Sequence, residues 1–187
     1  MYTPREDSHL IQKHIKEFCK KDPDFYVLDM GTGSGILAKE ASRYSNHVTA
    51  IDIDKEAIKL LKDKVNNKKN KVFLNKQHNS IRFLHSNLFS NLKQSKFDLI
   101  IFNPPYLPSK KSSFKHIDLD GGLHGTEIIK KFLKEAKSHL KKQGKILLLT
   151  SSLNRGILNL FKKYNFSSKL IDQESFFFEK IFVWVLN

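Results

Sequence analysis

A glycine-rich turn between an apolar strand and a helix is the feature that most constrains the fold of this chain. The run Phe25 to Leu28 is apolar and has the length of a buried strand, and it leads into Asp29-Met30-Gly31-Thr32-Gly33-Ser34-Gly35. The amphipathic segment that follows, Ile36 to Ala41, predicts a helix. Glycines at this spacing let the backbone turn tightly and approach a ligand closely. We therefore predict a strand–turn–helix unit of an α/β fold with a ligand at its turn.

A second apolar strand ends in an acidic residue. Val48 to Ile51 is followed by Asp52, about 20 residues beyond the glycines, where an acidic side chain accepts hydrogen bonds from both hydroxyls of a ribose. A nicotinamide dehydrogenase would share this pattern. Its usual turn is Gly-x-Gly-x-x-Gly, however, whereas the glycines here fall at every second residue, and no hydride-transfer partner is evident. The pattern thus predicts a nucleoside-containing ligand and disfavours nicotinamide.

The sequence Asn103-Pro104-Pro105-Tyr106 directly follows another apolar run, Phe97 to Phe102. A buried strand that stops in two prolines leaves the Asn103 side-chain carbonyl and nearby backbone carbonyls without ladder partners, beyond the strand's carboxyl end. These oxygens can accept hydrogen bonds from an NH2 group. Tyr106 offers a flat face on which a planar amide or base can stack, and Pro105 fixes the turn. We predict a catalytic acceptor turn formed by Asn103, Pro104, Pro105 and Tyr106.

The rest of the chain alternates helices and strands without a repeat or a linker. Further strands are predicted at 81–84 and 145–150, with a closing antiparallel pair at 168–172 and 180–186. Two helices are predicted to begin at the capping residues Ser8 and Asp54. A third is predicted to begin at Thr126 and to end at Gly144, and a fourth to cover 153–164. The segment 109–125 is a loop of a length that is usually functional or mobile. This order predicts a doubly wound sheet with its site along one edge.

Composition indicates one compact α/β domain that works inside the cell. The 187 residues, 40% of them hydrophobic, suffice for a single core. Cys19 is the only cysteine, and the amino terminus lacks the apolar stretch of a signal peptide, so we expect a cytoplasmic protein without a membrane segment. The histidines show no spacing typical of zinc ligands, and no metal site is predicted.

The net charge of +14 leaves two interpretations open. Lysine and arginine that neutralise phosphates drive nucleic-acid binding, which makes an acidic partner such as RNA or an RNA-bound protein complex one interpretation. Only four of the 33 basic residues are arginine, however, and the lysines are scattered. Lysine is a poorer bidentate or stacking residue, so a solvated, lysine-rich surface is the favoured interpretation.

The combination Asp-x-Gly-x-Gly-x-Gly, Asp at the end of the second strand and Asn-Pro-Pro-Tyr at the end of the fourth resembles class I S-adenosylmethionine-dependent methyltransferases that act on nitrogen. Within them the chain is most similar to the HemK group of glutamine methyltransferases, which modify the Gly-Gly-Gln loop of translation termination factors. The similarity covers nearly the whole chain. It includes the opening 2–8, the loop Gly121 to Gly125 and the segment Phe177-Phe178-Glu179-Lys180.

This resemblance implies a Rossmann-like fold with a mostly parallel seven-stranded sheet, helices on both faces and a C-terminal antiparallel hairpin. It implies a single methyltransferase domain over 1–187, in which the helical segment 1–24 closes over the cofactor. Only 28 residues precede Asp29, so the separate helical domain of bacterial members is missing, which points to the shorter archaeal and eukaryotic branch. Such enzymes commonly require a small zinc-ribbon activator subunit, so the resemblance implies a heterodimer.

The resemblance also implies the residues that bind the S-adenosylmethionine cofactor. They are Thr3, Ser8, Asp29, Gly31, Gly33, Gly35, Asp52, Ile53, Asn87, Leu88 and Asn103. In the family pattern the glycines line the methionine part of the cofactor, Asp29 lies near its ammonium group and Asp52 holds the ribose hydroxyls. Ile53 packs on the adenine, and Ser8 and Thr3 close over the cofactor.

The adenine edge is where the chain departs from the family pattern. Asn87 and the Leu88 backbone are expected to meet this edge, but the family usually has Asp where Asn87 stands. Asn accepts through its carbonyl, whereas its amide hydrogens face the adenine amino group less favourably. We expect a lower cofactor affinity for this reason.

The favoured prediction is methylation of a glutamine side-chain amide in a release factor. An alternative is methylation of an exocyclic base amine, adenine N6 or guanine N2, in RNA or DNA, because the same acceptors and the same Tyr stack suit a planar NH2-bearing base. A cofactor-binding partner protein without activity is disfavoured because the acceptor motif is intact.

Overall fold

The computed structural model describes residues 6–19, 22, 24–66, 81–107, 125–176 and 178–187. These residues form a seven-stranded sheet. Its strands are β1 (Tyr26–Met30), β2 (His47–Asp52), β3 (Ile81–His85), β4 (Phe97–Phe102), β5 (Leu140–Ser151), β6 (Ser168–Ser175) and β7 (Lys180–Leu186). The strand order is β3-β2-β1-β4-β5-β7-β6, in which β1 to β5 pair in parallel and β7 is antiparallel to both β5 and β6. The predicted mostly parallel sheet with a C-terminal antiparallel hairpin is confirmed.

Helices cover both faces of this sheet. They are α1 (Glu6–Gln12), α2 (Ile15–Phe18), α3 (Ile36–Ala41), α4 (Lys55–Asn66), α5 (Glu127–Ala136) and α6 (Ile157–Lys163), with a 3-10 turn at Lys137–His139. Buried residues of α1 to α4 pack on one face of the sheet, and those of α5 and α6 pack on the other. The predicted two-sided arrangement is therefore confirmed.

The central strands bury both of their faces, which explains their continuous apolar sequences. In β4, Leu99 belongs to the core beneath α1 to α4 and its neighbour Ile100 to the core beneath α5 and α6, and both are 0% exposed. Burial of one such side chain contributes about 1.5–3 kcal/mol, so each neighbouring pair ties both helical layers to one strand. The ends of these strands are thereby held in a fixed arrangement.

Gly144 does not end a helix as predicted. Helix α5 ends at Ala136, and Gly144 lies inside β5, where the pairing with β4 shifts register between Phe97 and Leu99. A Cβ atom at Gly144 would lie 2.7 Å from the Phe97 carbonyl oxygen. The glycine is therefore explained by the close approach of a neighbouring strand at an irregular pairing.

Two other helix predictions were also wrong at their starts. Ser8 lies within α1 and does not cap it, and the helix predicted at the amino terminus is divided into α1 and α2 at residues 13–14. The His14 side chain at this break lies 2.7 Å from an Asp172 carboxylate oxygen on β6. Helix α6 begins at Ile157 because 152–156 form a turn that ends in Gly156 with a φ of +74°.

No helix within the described ranges is long and apolar enough to cross a membrane.

Candidate active site

The carboxyl ends of β1, β2 and β4 bring the three predicted motifs together. Met30 at the end of β1 is in register with Ile51 of β2 on one side and with Phe102 of β4 on the other. The first residue of each motif comes next in the chain. Gly31 follows Met30, Asp52 follows Ile51 and Asn103 follows Phe102. Since the strands are parallel, all three motifs lie at one edge of the sheet.

The glycine turn has the left-handed backbone that its composition suggested. Gly31, Gly33 and Gly35 have φ values of +66°, +51° and +82°. The Thr32 amide donates to the Ile51 carbonyl at 2.8 Å, which fastens the turn to β2. A Cβ atom at Gly35 would lie 2.8 Å from Cδ2 of Leu61 in α4, so a side chain here would force the Leu61 side chain to shift. The turn is a cradle of backbone between β1 and α3.

Asp29 lies beneath this cradle and is 0% exposed. Its Oδ2 accepts hydrogen bonds from the Thr32 hydroxyl at 2.6 Å and from the Ala38 amide at 2.9 Å. Its Oδ1 is buried and has no hydrogen-bond partner in the described part of the chain. Burial, together with the nearby charge of Asp52, raises the pKa of the Asp29 carboxyl from 3.8 to about 7, against the lowering effect of the two hydrogen bonds.

Asp52 connects the cradle to the second strand. Its Oδ2 accepts from the Gly33 amide at 2.8 Å, and its Oδ1 accepts from the Asp54 amide at 2.9 Å. These bonds fix the carboxylate at the carboxyl end of β2 while the residue stays half-buried. The next residue, Ile53, is 53% exposed, which leaves an apolar side chain available beside the carboxylate.

Asn87 and Leu88 follow β3 at the same edge of the sheet. Asn87 is exposed, and Leu88 has a φ of +48°. The Leu88 carbonyl accepts a hydrogen bond from the Ser86 hydroxyl at 2.7 Å, which stabilises this unusual backbone. Both residues therefore lie just beyond the carboxyl end of β3, the strand that neighbours β2.

The acceptor turn contains the second unpaired oxygen. Asn103 Oδ1 is buried and has no hydrogen-bond partner among the described residues. Its Nδ2 donates to Asp7 Oδ2 and to Ser8 Oγ in α1, each at 3.3 Å. The Tyr106 hydroxyl donates to the same Asp7 Oδ2 at 3.3 Å. The donor end of the Asn103 amide is thus occupied by α1, and the acceptor end remains for a ligand.

Two residues at this site were not assigned a role from the sequence. Asp7, which is 6% exposed, contacts both Asn103 and Tyr106. Asn154, which is 3% exposed, donates to the Tyr106 carbonyl at 2.8 Å. Asp7 lies in the amino-terminal segment 2–8 that resembles the family, and this resemblance could have indicated a role for it. Asn154 had no such signal, because it lies in a segment that was predicted to be helical.

Some predicted features lie outside the described residues, namely Thr3, the loop 109–125 except for Gly125, and Phe177. The other predicted cofactor and catalytic residues are all described. Among the described residues there is no group of three or more His, Cys, Asp or Glu side chains that could hold a metal ion.

The residues present fit S-adenosylmethionine. The cofactor carries an ammonium group and a sulfonium, and at this edge Asp29 Oδ1 and Asn103 Oδ1 are buried and have no hydrogen-bond partner among the described residues. Gly31, Gly33 and Gly35 carry no side chain, so a ligand can approach the backbone of the cradle closely. A carboxylate and an exposed apolar side chain, Asp52 and Ile53, stand where a ribose and a base are expected.

The strand order, the glycine cradle and the acceptor turn together define a class I methyltransferase that uses S-adenosylmethionine as methyl donor. The chain belongs to the family described as methyltransferase small domain, whose model matches residues 7–174. The predicted membership of a methyltransferase family and the predicted cofactor are thereby confirmed.

Within this family the chain is similar to enzymes named for glutamine methylation. A Methanocaldococcus jannaschii protein with the provisional name protein N5-glutamine methyltransferase is 35% identical over 98% of this chain and 89% of its own length. The release factor glutamine methyltransferase of Fusobacterium nucleatum is 29% identical over 90% of this chain and 52% of its own length. The chain therefore spans about half of this bacterial relative.

Among solved structures, the E. cuniculi Mtq2-Trm112 complex, described as responsible for methylation of the eRF1 translation termination factor, contains a chain of the same fold. It superimposes with a TM-score of 0.73 at 19% identity, over 99% of this chain and 96% of that chain. At this identity the similarity establishes the fold alone.

Proposed function

We propose that the protein methylates the glutamine side-chain amide of the Gly-Gly-Gln motif of a translation termination factor. The observation that carries this proposal is Asn103 Oδ1, which is buried without a hydrogen-bond partner in the described ranges and whose amide is oriented by Asp7 and Ser8. A buried acceptor without a partner is costly, and an N–H group of the substrate would relieve this cost. The names of the relatives support a glutamine amide as that group.

We assign the cofactor to the residues that surround the glycine cradle. Gly31, Gly33 and Gly35 would line its methionine part, Asp29 would lie near its ammonium group and Asp52 would bind the ribose hydroxyls. Around the adenine, Ile53 would pack on the ring, and Asn87 and the Leu88 backbone would meet its edge. Ser8 and Thr3 would close over the cofactor from the amino-terminal segment. Bound S-adenosylmethionine supplies a methyl group activated by a sulfonium.

The acceptor turn would orient the nitrogen that receives the methyl group. An amide nitrogen is a poor nucleophile because its lone pair is delocalised. If Asn103 Oδ1 and the Pro104 carbonyl each accept one N–H, the nitrogen is held with its lone-pair side toward the methyl group, so part of the barrier is removed by positioning. The same two dipoles stabilise the positive charge that develops on nitrogen. Tyr106 would stack on the flat amide, and Pro105 would fix the turn.

We further propose three features of the whole protein. The described contacts from Asp7 and Ser8 to Asn103 support the single-domain organisation over 1–187, with the segment 1–24 closing over the cofactor. The complex described for the E. cuniculi protein supports a small partner subunit for this chain; its zinc-ribbon type rests on the family resemblance. A translation factor as substrate would place the protein in the cytoplasm.

The alternative substrate is an exocyclic amine of adenine or guanine. It presents the same N–H groups to Asn103 and the same flat surface to Tyr106. The net charge of +14 is the observation that favours it. A nucleic-acid substrate would make activity fall steeply with salt, whereas a protein substrate predicts a shallow dependence.

A methyl-transfer assay with labelled S-adenosylmethionine tests the proposal. The chain, with and without a zinc-ribbon partner, is offered a purified release factor or total RNA. We expect label on the release factor, lost when the glutamine of its Gly-Gly-Gln motif is replaced. Label confined to RNA would overturn the protein substrate.

Asn103→Ala tests the mechanism in the same assay. We expect this variant to abolish transfer because the substrate loses its acceptor, while cofactor affinity stays within a few-fold because the glycine cradle, Asp29 and Asp52 still hold the cofactor. The change Asn159→Ala, at an exposed asparagine of α6, is the matched control. Full activity of Asn103→Ala would refute the role of the acceptor turn.

A further inference from the structure

Asn154 is a buried amide whose hydrogen bonds join three parts of the chain. Its Oδ1 accepts from the Ser151 amide at 2.8 Å, at the end of β5. Its Nδ2 donates to the Tyr106 carbonyl and to the Gly125 carbonyl, each at 2.8 Å. The residue is 3% exposed, so these bonds form away from water. A single side chain thus connects β5 to the acceptor turn and to the residue that precedes α5 by two positions.

We propose that Asn154 is a positioning residue for methyl transfer, one that fixes the backbone of the acceptor turn through the Tyr106 carbonyl. This inference rests on the proposed function of that turn. It assigns to Asn154 no contact with substrate or cofactor. Its effect is to hold Tyr106 and the turn in the geometry in which Asn103 and Pro104 receive the substrate nitrogen.

The direction of the Asn154 amide is set by its surroundings. Because the Ser151 amide is a donor, it requires the Oδ1 end of Asn154, and the Nδ2 end then faces two carbonyl oxygens. A reversed amide would place an NH2 group against an N–H and an oxygen against two carbonyls. All three bonds therefore depend on one orientation, and asparagine is the residue of this size that supplies one acceptor and two donors.

A turn closed by two prolines needs such an external attachment. Pro104 and Pro105 have no N–H groups, so this part of the turn cannot donate to a neighbouring backbone. The attachments of Tyr106 include its hydroxyl bond to Asp7 on one side and, on the other, the bond that its carbonyl accepts from Asn154. Removal of the second would let the ring and the adjoining carbonyls move while leaving the cofactor cradle intact.

The C-terminal hairpin supports the position of Asn154. The Ser151 hydroxyl donates to Glu179, and the same hydroxyl oxygen accepts from the Leu153 amide at 3.1 Å. The Ser152 amide donates to the Lys180 carbonyl at 2.8 Å. Glu179 and Lys180 belong to the sequence that the family resemblance singled out, and these two residues support the end of β5 next to the site.

Asn154→Asp is the most informative change. The new carboxylate keeps an oxygen for the Ser151 amide but turns a second oxygen toward two carbonyls. We expect kcat to fall about 10- to 100-fold, as displacements of about 1 Å do, while KM and cofactor affinity stay within about twofold. Protonation restores one donor, so the loss of kcat should be smaller at pH 6 than at pH 8, whereas a general loss of structure would also change KM and cofactor affinity. Asn159→Asp, the same change on the surface of α6, is the control.

Two further measurements keep the inference testable if activity is low. Asn154→Ala removes the donors without repulsion and is expected to lose less activity than Asn154→Asp. Hydrogen exchange should rise in the peptide 101–107 of both variants and remain unchanged in 26–35, whether or not the wild-type protein methylates a release factor. A kcat within twofold of wild type, unchanged exchange in 101–107, or a parallel loss of activity and cofactor affinity would overturn the proposal.

Discussion

Gly35→Ala should destabilise the protein far more than the same change at Gly156. Both glycines precede a helix in the left-handed region, with φ values of +82° and +74°. A side chain in this region costs about 1–2 kcal/mol. At Gly156 no atom of the described residues lies within 4 Å of the new Cβ, so this is the whole expected cost. At Gly35 the Cβ would lie 2.8 Å from Cδ2 of Leu61, which is 0% exposed and cannot move aside into solvent.

Overpacking of this kind adds about 1–3 kcal/mol, so the free energy of unfolding should fall by roughly 2–5 kcal/mol in Gly35→Ala. Equilibrium unfolding in urea measures both variants, with Trp184, the single tryptophan, as the fluorescent probe. A third variant identifies the cause, because Leu61→Ala should cost less in the Gly35→Ala background than alone. Equal losses at Gly35 and Gly156, within about 0.5 kcal/mol, would refute the reasoning.

Two further changes test the charged residues of the site. Asp7→Asn removes a carboxylate that accepts from Asn103 and Tyr106; loss of such a charge-assisted bond predicts about a tenfold lower kcat with cofactor affinity within about twofold, and an unchanged kcat in initial-rate assays would contradict it. Asp29 has a pKa of about 7 in the folded protein and 3.8 as its ordinary value. The folded state therefore keeps a proton that the unfolded chain releases between these values, so this residue lowers stability as pH rises from about 4 to about 7. Without cofactor, Asp29→Asn should gain stability relative to wild type by up to about 4 kcal/mol over this window, and a constant difference in urea unfolding at pH 4, 5.5 and 7 would refute the assignment.

The sheet was predictable because local sequence and long-range packing agree in its strands. Buried parallel strands are apolar on both faces, and the runs at β1, β2 and β4 have this property in the sequence itself. At Gly144 local sequence and long-range packing disagree. A glycine after an apolar helical pattern is the usual sign of a helix end, but here the pattern extends by chance into β5. The true cause, the Phe97 carbonyl 2.7 Å from a Cβ at this position, belongs to another strand.

The candidate site likewise contains residues that adjacent sequence predicts and residues that only long-range packing brings together. The unpaired acceptor of Asn103 followed from its place after a strand and before two prolines, since these are properties of adjacent residues. Asp7 and Asn154 are separated from their partners in the acceptor turn by 96 and 48 positions. No local pattern indicates which distant side chain will meet Asn103 or Tyr106, because that meeting depends on how α1 and the end of β5 pack around the turn.

These two distant contacts follow one rule, which explains why the acceptor turn requires more than its four residues. An amide side chain has a donor end and an acceptor end. When a neighbour occupies one end, the orientation of the amide is fixed and the other end serves either as donor only or as acceptor only. In Asn103 the donor end is taken by Asp7 and Ser8, and Oδ1 has no partner within the part of the chain that the structure describes. In Asn154 the acceptor end is taken by the Ser151 amide, so that Nδ2 holds the turn. Under the proposed function, selection of an N–H-bearing substrate would therefore be a joint property of α1, the end of β4 and the end of β5.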